Sequence, residues 1–120
     1  MSEKVLLSPS ELSHMLGTPG SVVVIDTRSP EAFAAGHIPG AVNRPATQLL
    51  DDQGRFRPAV EIAAAYEGVE DPVLYCGSGI TAAQALLALE AAGVEGGRIY
   101  PGSWSDWIRD PARPVATGPR

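Results

Sequence analysis

The chain has 120 residues, room for one domain and too little for two ordinary ones. Hydrophobic residues make up 44% and charged residues 19%, a globular mixture that excludes a disordered chain. The net charge of −5, with nine basic residues scattered rather than clustered, excludes a nucleic-acid surface built on phosphate contacts. Four apolar runs then mark strands: Val5–Leu7, Val22–Ile25, Val73–Tyr75 and Ile99–Tyr100, with a weaker one at Ala41–Asn43. Val22–Ile25 and Val73–Tyr75 are continuous rather than alternating, the pattern of strands buried on both faces of a parallel sheet.

Helical segments fall between these runs. Ser8-Pro9-Ser10-Glu11 is a capping box with proline at the first helical position, which predicts a helix to about Leu16. Ser29-Pro30-Glu31 starts a shorter one, and Pro58 to Tyr66 carries one apolar face. Thr81 to Ala92 is rich in Ala and Leu almost all round, and Gly93 can end it in the left-handed conformation. Alternation of strands and helices predicts an α/β domain with a mostly parallel sheet of about five strands flanked by helices. The expected core spans about residues 4–110, and the Pro/Gly-rich segment 111–120 reads as a fading tail. No apolar stretch is long enough to cross a bilayer, and the first residues lack the pattern of a signal peptide. With one cysteine, no internal disulfide forms, so a reducing cytoplasmic setting is expected.

Functional groups of such sheets gather beyond the carboxyl ends of the strands. Two stretches lie there: Asp26-Thr27-Arg28, and Cys76-Gly77-Ser78-Gly79-Ile80-Thr81. The second joins a buried strand to a long helix. Gly77 and Gly79 allow the backbone to curl its amides inward, and the positive helix end favours negative charge. A lone buried cysteine is often only a small core hydrophobe. The strand–Cys–Gly-x-Gly–helix context instead points to a thiolate nucleophile at Cys76, with Ser78 and Thr81 as added donors.

The loop resembles the active-site loop of 3-mercaptopyruvate and thiosulfate sulfurtransferases of the rhodanese superfamily. Three further segments resemble that family in order: Val24-Ile25-Asp26-Thr27-Arg28, Gly36-His37-Ile38-Pro39-Gly40-Ala41-Val42-Asn43, and Tyr100-Pro101-Gly102-Ser103-Trp104-Ser105-Asp106-Trp107. The last, with Pro114-Val115-Ala116-Thr117-Gly118, is similar to the catalytic C-terminal half of two-domain members. The resemblance implies a single rhodanese-like three-layer domain over 1–120. It implies sulfane-sulfur transfer from thiosulfate or 3-mercaptopyruvate to cyanide or a thiol through a Cys76 persulfide. Substrate would be bound by Arg28 and by the loop Gly77, Ser78, Gly79, Ile80 and Thr81, without metal or cofactor. A protein sulfur acceptor is a possible partner; nucleic acid and membrane are not expected. The alternative is a partner-dependent sulfur carrier or regulatory module with little activity on small donors.

Other residues have plainer readings. His37 precedes the Pro39-Gly40 turn and is expected to support it. His14 reads as a surface residue. Trp104 and Trp107, three apart, are expected to share a buried helix face. Asp26 is expected to accept hydrogen bonds from loop amides, and Asp51-Asp52 to sit in a solvated turn. Arg28 has a structural alternative, an ion pair at the strand end. Arg44 is the nearest further cation in sequence, and Ser29 to Ala35 holds no basic residue. Cysteine phosphatases need arginine six positions after the cysteine, and Ala82 stands there. A dithiol oxidoreductase is disfavoured because no second cysteine can resolve a mixed disulfide.

Overall fold

The computed structural model describes residues 6–16, 23–69, 71–77, 80–94 and 96–119, with the backbone alone at Ile80. Among the described residues four strands form one parallel sheet: β1 (Val24–Asp26), β2 (Val42–Asn43), β3 (Val73–Tyr75) and β4 (Arg98–Ile99). Their order is β2-β1-β3-β4. Every residue of the central pair, β1 and β3, is buried, which explains their unbroken apolar runs.

Of the segment expected as a fifth strand, Val5–Leu7, the described residues form one parallel bridge to β4, Leu6 to Ile99. There the Leu7 amide donates to the Ile99 carbonyl at 2.8 Å. The capping box is the physical reason. The Ser8 amide donates to Glu11 Oε1 at 2.8 Å and the Glu11 amide to Ser8 Oγ at 3.1 Å, so the chain has already turned into a helix. Val5 and Val22 lie outside the described residues.

Among the described residues five α-helices flank the sheet: α1 (Pro9–Leu16), α2 (Pro30–Ala35), α3 (Ala59–Ala65), α4 (Ile80–Ala91) and α5 (Ser103–Trp107). Ser29 Oγ accepts from the Ala32 amide and caps α2. Gly93, at φ +91°, closes α4 in a left-handed turn, with its amide on Glu90 and that of Val94 on Leu89. Strand alternation separates two cores. Ile25, Leu74 and Ile99 pack with Leu49, Ile62 and Leu89 from the α3 and α4 side. Val24, Val73 and Tyr75 pack with Leu12, Phe33 and Trp107 from the other helices. The result is three layers, helix–sheet–helix.

The segment after Asp110, read from sequence as a fading tail, is pinned to the body. Ala116 exchanges backbone hydrogen bonds with His37 at 2.9 Å each way, and the Gly118 amide donates to Ala34. Trp107 Nε1 donates to the Pro114 carbonyl at 2.8 Å. Proline and glycine weaken local structure, yet tertiary partners hold this stretch. His37 is buried: its ring stacks on Phe33 at 3.7 Å and its Nδ1 lies 2.8 Å from the Phe33 carbonyl. The turn itself closes separately, from the Ala41 amide to the Ile38 carbonyl. His14 is exposed, and Asp51 Oδ1 accepts from the amides of Gln53 and Arg55 in its turn. No helix among the described residues is long and apolar enough to cross a membrane.

Two of the buried tyrosines, Tyr75 and Tyr100, bear on stability at alkaline pH. Burial first, then Asp26, pushes the Tyr75 hydroxyl well above its ordinary range; burial, then Asp106, does so at Tyr100. The unfolded chain ionises these groups near pH 10 while the folded chain keeps them protonated, so stability present below pH 10 is lost as pH rises beyond it. Melting temperature is therefore expected to fall steeply above about pH 10. Tyr75→Phe should flatten that fall, at a cost at neutral pH because the Ile38 amide loses its acceptor at 3.0 Å. Melting curves from pH 7 to 11 check both effects.

Candidate active site

The site lies beyond the carboxyl ends of β1 and β3. Cys76 follows β3 directly, is 2% exposed, and stands at the edge of a cleft of about 290 Å³. Thr27, Arg28, Pro45, Thr47, Gly77 and Thr81 also line this cleft. The exit of β1 is held by its neighbours: Asn43 Nδ2 donates to the carbonyls of Asp26 and Arg28, and Thr27 Oγ1 to that of Tyr75. Arg28 and Cys76 thus border one cavity because β1 and β3 are adjacent and parallel.

Arg28 is heavily engaged. Its Nε lies 3.1 Å from both Asp26 carboxylate oxygens, and Nη2 donates to Asp26 Oδ2 at 2.7 Å and to the Gly36 carbonyl at 2.6 Å. The guanidinium also sits 4.7 Å from the Trp104 ring and 5.9 Å from that of Tyr75. Burial alone would lower its pKa; the hydrogen bonds and charge of Asp26 more than offset this, and the net shift is upward. The ion pair weighed from sequence is therefore present, and Nη1 is the guanidinium nitrogen left without a hydrogen bond among the described residues. Asp26 does accept from a loop amide, that of Arg28 at 2.8 Å, but its main partner is the guanidinium.

Trp104 corrects the expectation of two tryptophans on one buried face. Trp107 is fully buried, whereas Trp104 is half-buried and covers Arg28. It packs so near Gly36 that a Cβ there would come within 3.0 Å of the indole. Arg44 turns away from the cleft: Nη1 donates to the Ala65 carbonyl and the guanidinium lies over Tyr66.

Of the loop residues expected to cradle substrate, Ser78 and Gly79 lie outside the described residues, as does the Ile80 side chain. Thr81 lines the cleft from the first turn of α4. Gly77 lines it too, but its backbone is not left-handed and a Cβ would meet nothing within 4 Å, so no conformational need for glycine arises there. Ala82 is fully buried, in the α4 core.

The residues that hold the cysteine come from α5, and sequence reasoning missed their role. The Cys76 amide donates to Ser103 Oγ at 3.0 Å, and that oxygen is 3.9 Å from Cys76 Sγ. The Cys76 carbonyl accepts from the Trp104 amide at 2.9 Å. The Gly77 carbonyl accepts from the Ser105 amide and from Ser105 Oγ. Ser103 is fully buried and adopts φ +57°, a left-handed conformation that costs a non-glycine residue about 1 kcal/mol or more. Its hydroxyl has two acceptors in reach, the Tyr100 carbonyl at 3.0 Å and Sγ. Ser103→Ala is expected to cost about 1–3 kcal/mol by stranding the buried Cys76 amide. Ser103→Gly should melt higher than Ser103→Ala, because glycine relieves the left-handed strain while removing the same hydroxyl. Thermal melts of the pair check this. Among the described residues no group of His, Cys, Asp or Glu converges to hold a metal ion.

A family model, the rhodanese-like domain, matches residues 8–110. The chain belongs to the rhodanese-like family. A Pseudomonas aeruginosa protein named "Probable 3-mercaptopyruvate sulfurtransferase" is 40% identical over 95% of this chain and 45% of its own length. The 3-mercaptopyruvate sulfurtransferase of Escherichia coli is 42% identical over 70% of this chain and 35% of its own. The thiosulfate sulfurtransferase of Corynebacterium glutamicum is 29% identical over 91% and 43%. The chain thus spans under half the length of these relatives. Among solved structures, EanB in complex with hercynine superposes with TM-score 0.83 at 20% identity, over 95% of this chain and 32% of EanB. That likeness is one of fold. The rhodanese-like architecture expected from the motifs is therefore present, with a parallel sheet of four strands where about five were predicted.

Proposed function

We propose that this rhodanese-like domain is a sulfurtransferase that carries sulfane sulfur as a persulfide on Cys76. The observation that carries this reading is the buried cysteine at the end of β3, outside any disulfide and bordering a cleft at the start of α4. Relatives named as 3-mercaptopyruvate and thiosulfate sulfurtransferases support it. In the first half-reaction the Cys76 thiolate attacks the sulfur of the donor. With 3-mercaptopyruvate the carbon–sulfur bond breaks, its electron pair leaves as the enolate of pyruvate, and the persulfide proton passes to that carbon. In the second, cyanide or a thiolate attacks the outer sulfur, and the sulfur–sulfur electrons return to Cys76.

The cation beside the cleft bears on the donor. Asp26 neutralises most of the Arg28 charge, and only Nη1 is left to meet an incoming oxygen. One free donor suits the single carboxylate of 3-mercaptopyruvate better than the dianion thiosulfate, which needs net positive charge. The backbone amides of Gly77, Ser78, Gly79, Ile80 and Thr81 complete the proposed anion cradle. A cytoplasmic setting, where thiols stay reduced, fits the single cysteine. Single-turnover loading should be about tenfold or more faster with 3-mercaptopyruvate than with thiosulfate at equal concentration. Faster loading with thiosulfate would contradict the electrostatic part of this reading.

A further inference from the structure

A second hollow of about 150 Å³ adjoins the cysteine cleft, and Ala46, Thr47 and Thr81 line both. Leu50, Phe56 and Ala85 supply its apolar wall, with Gln84 as the added polar side chain. No charged residue lines it among the described residues. Phe56 is held in place by an antiparallel bridge to Leu50, yet it is 51% exposed, an apolar ring that the fold presents rather than buries. A cavity near 150 Å³ with apolar walls accepts a ligand the size of benzene. Arg28, the charged residue that lines the cysteine cleft among the described residues, is paired with Asp26.

We propose that this hollow is the acceptor subsite of the domain, and that the acceptor is a small thiol bearing an apolar substituent about the size of one phenyl ring. The inference rests on the persulfide reading above and adds to it the class of acceptor. The substituent occupies the hollow between Phe56 and Ala85, and the acceptor sulfur reaches past Thr47 and Thr81 toward Cys76. The acceptor thiol gives its proton to the Cys76 persulfide anion, and the thiolate so formed attacks the outer sulfur. A new sulfur–sulfur bond forms on the acceptor, the old one breaks, and its electron pair restores the Cys76 thiolate. The product is the acceptor hydropersulfide, with no net oxidation and no further reactant.

The test discharges persulfide-loaded protein with phenylmethanethiol and with 2-mercaptoethanol, each corrected for its thiolate fraction. The aromatic thiol is expected to react about tenfold faster, the scale of filling a small apolar pocket. Phe56→Ala and Phe56→Asp should bring that ratio close to one. Equal rates in the wild type, or a ratio that survives both substitutions, would overturn the proposal. A second measurement does not depend on the chemistry. Titrating unloaded protein with benzyl alcohol should shift the methyl resonances of Leu50 and Ala85 before those of Leu12 or Val24 in the opposite core. Absence of that selectivity would overturn the subsite even if loading succeeds. Selective shifts in a protein that never loads sulfur would instead overturn the acceptor role and the persulfide reading beneath it.

Discussion

Arg28→Ala is expected to lower the unfolding free energy by about 3–5 kcal/mol, the scale of breaking a buried ion pair from one side. Asp26 is fully buried, and the Arg28 side chain is 12% exposed. Removing the guanidinium leaves the buried carboxylate with the Arg28 amide at 2.8 Å and the Tyr75 hydroxyl, neither of which carries a positive charge. It also frees the Gly36 carbonyl and uncovers Trp104 and Tyr75. Against a typical total of about 5–15 kcal/mol this is a large fraction, so the variant should unfold at much lower urea. Arg28→Lys should fall between, because an ammonium keeps the charge and loses the fork. A double-mutant cycle with Asp26→Asn should return a coupling of about 1–3 kcal/mol. A loss below about 0.5 kcal/mol for Arg28→Ala, the scale of an ordinary surface substitution, would mean that the guanidinium is not committed to the fold and is free for substrate.

That commitment is what sequence could not settle. Asp26 and Arg28 are two residues apart at a strand end, a spacing equally suited to a substrate cation and to an ion pair. Only the third dimension, with Gly36 and Trp104 closing around the guanidinium, separates the two. The helix starts were legible because their signals are local. The Ser8–Glu11 box and the Ser29 cap form where expected. Strand edges were less so: a bridge at Leu6 and a start at Val24 are decided by which partner is adjacent, not by the run itself. Ser103 was hidden for a further reason. Its motif was visible, yet the tryptophans beside it drew attention as large apolar groups. A serine that matters through its Oγ contact with Cys76, 27 positions away, leaves no periodic trace. The contacts of the segment after Asp110 left no sequence signal either, because Pro and Gly report local stiffness and not tertiary partners such as His37.

Cys76→Ser is expected to abolish transfer, with a loss of at least about 10³-fold, the scale of removing a covalent nucleophile. Serine is close in size to cysteine, and the backbone bonds of residue 76 to Ser103 and Trp104 do not involve the sulfur. The variant should therefore fold, and its loss of transfer can be assigned to chemistry. Loss of transfer in a Cys76→Ser protein that melts like the wild type would separate chemistry from stability at this position.

The most direct test is the intact mass of the protein before and after 3-mercaptopyruvate, and again after cyanide, for the wild type and Cys76→Ser. The account predicts that the wild type gains one sulfur atom and cyanide removes it, while Cys76→Ser gains none. A cyanide-labile sulfur on Cys76→Ser, or no adduct on the wild type, would contradict it.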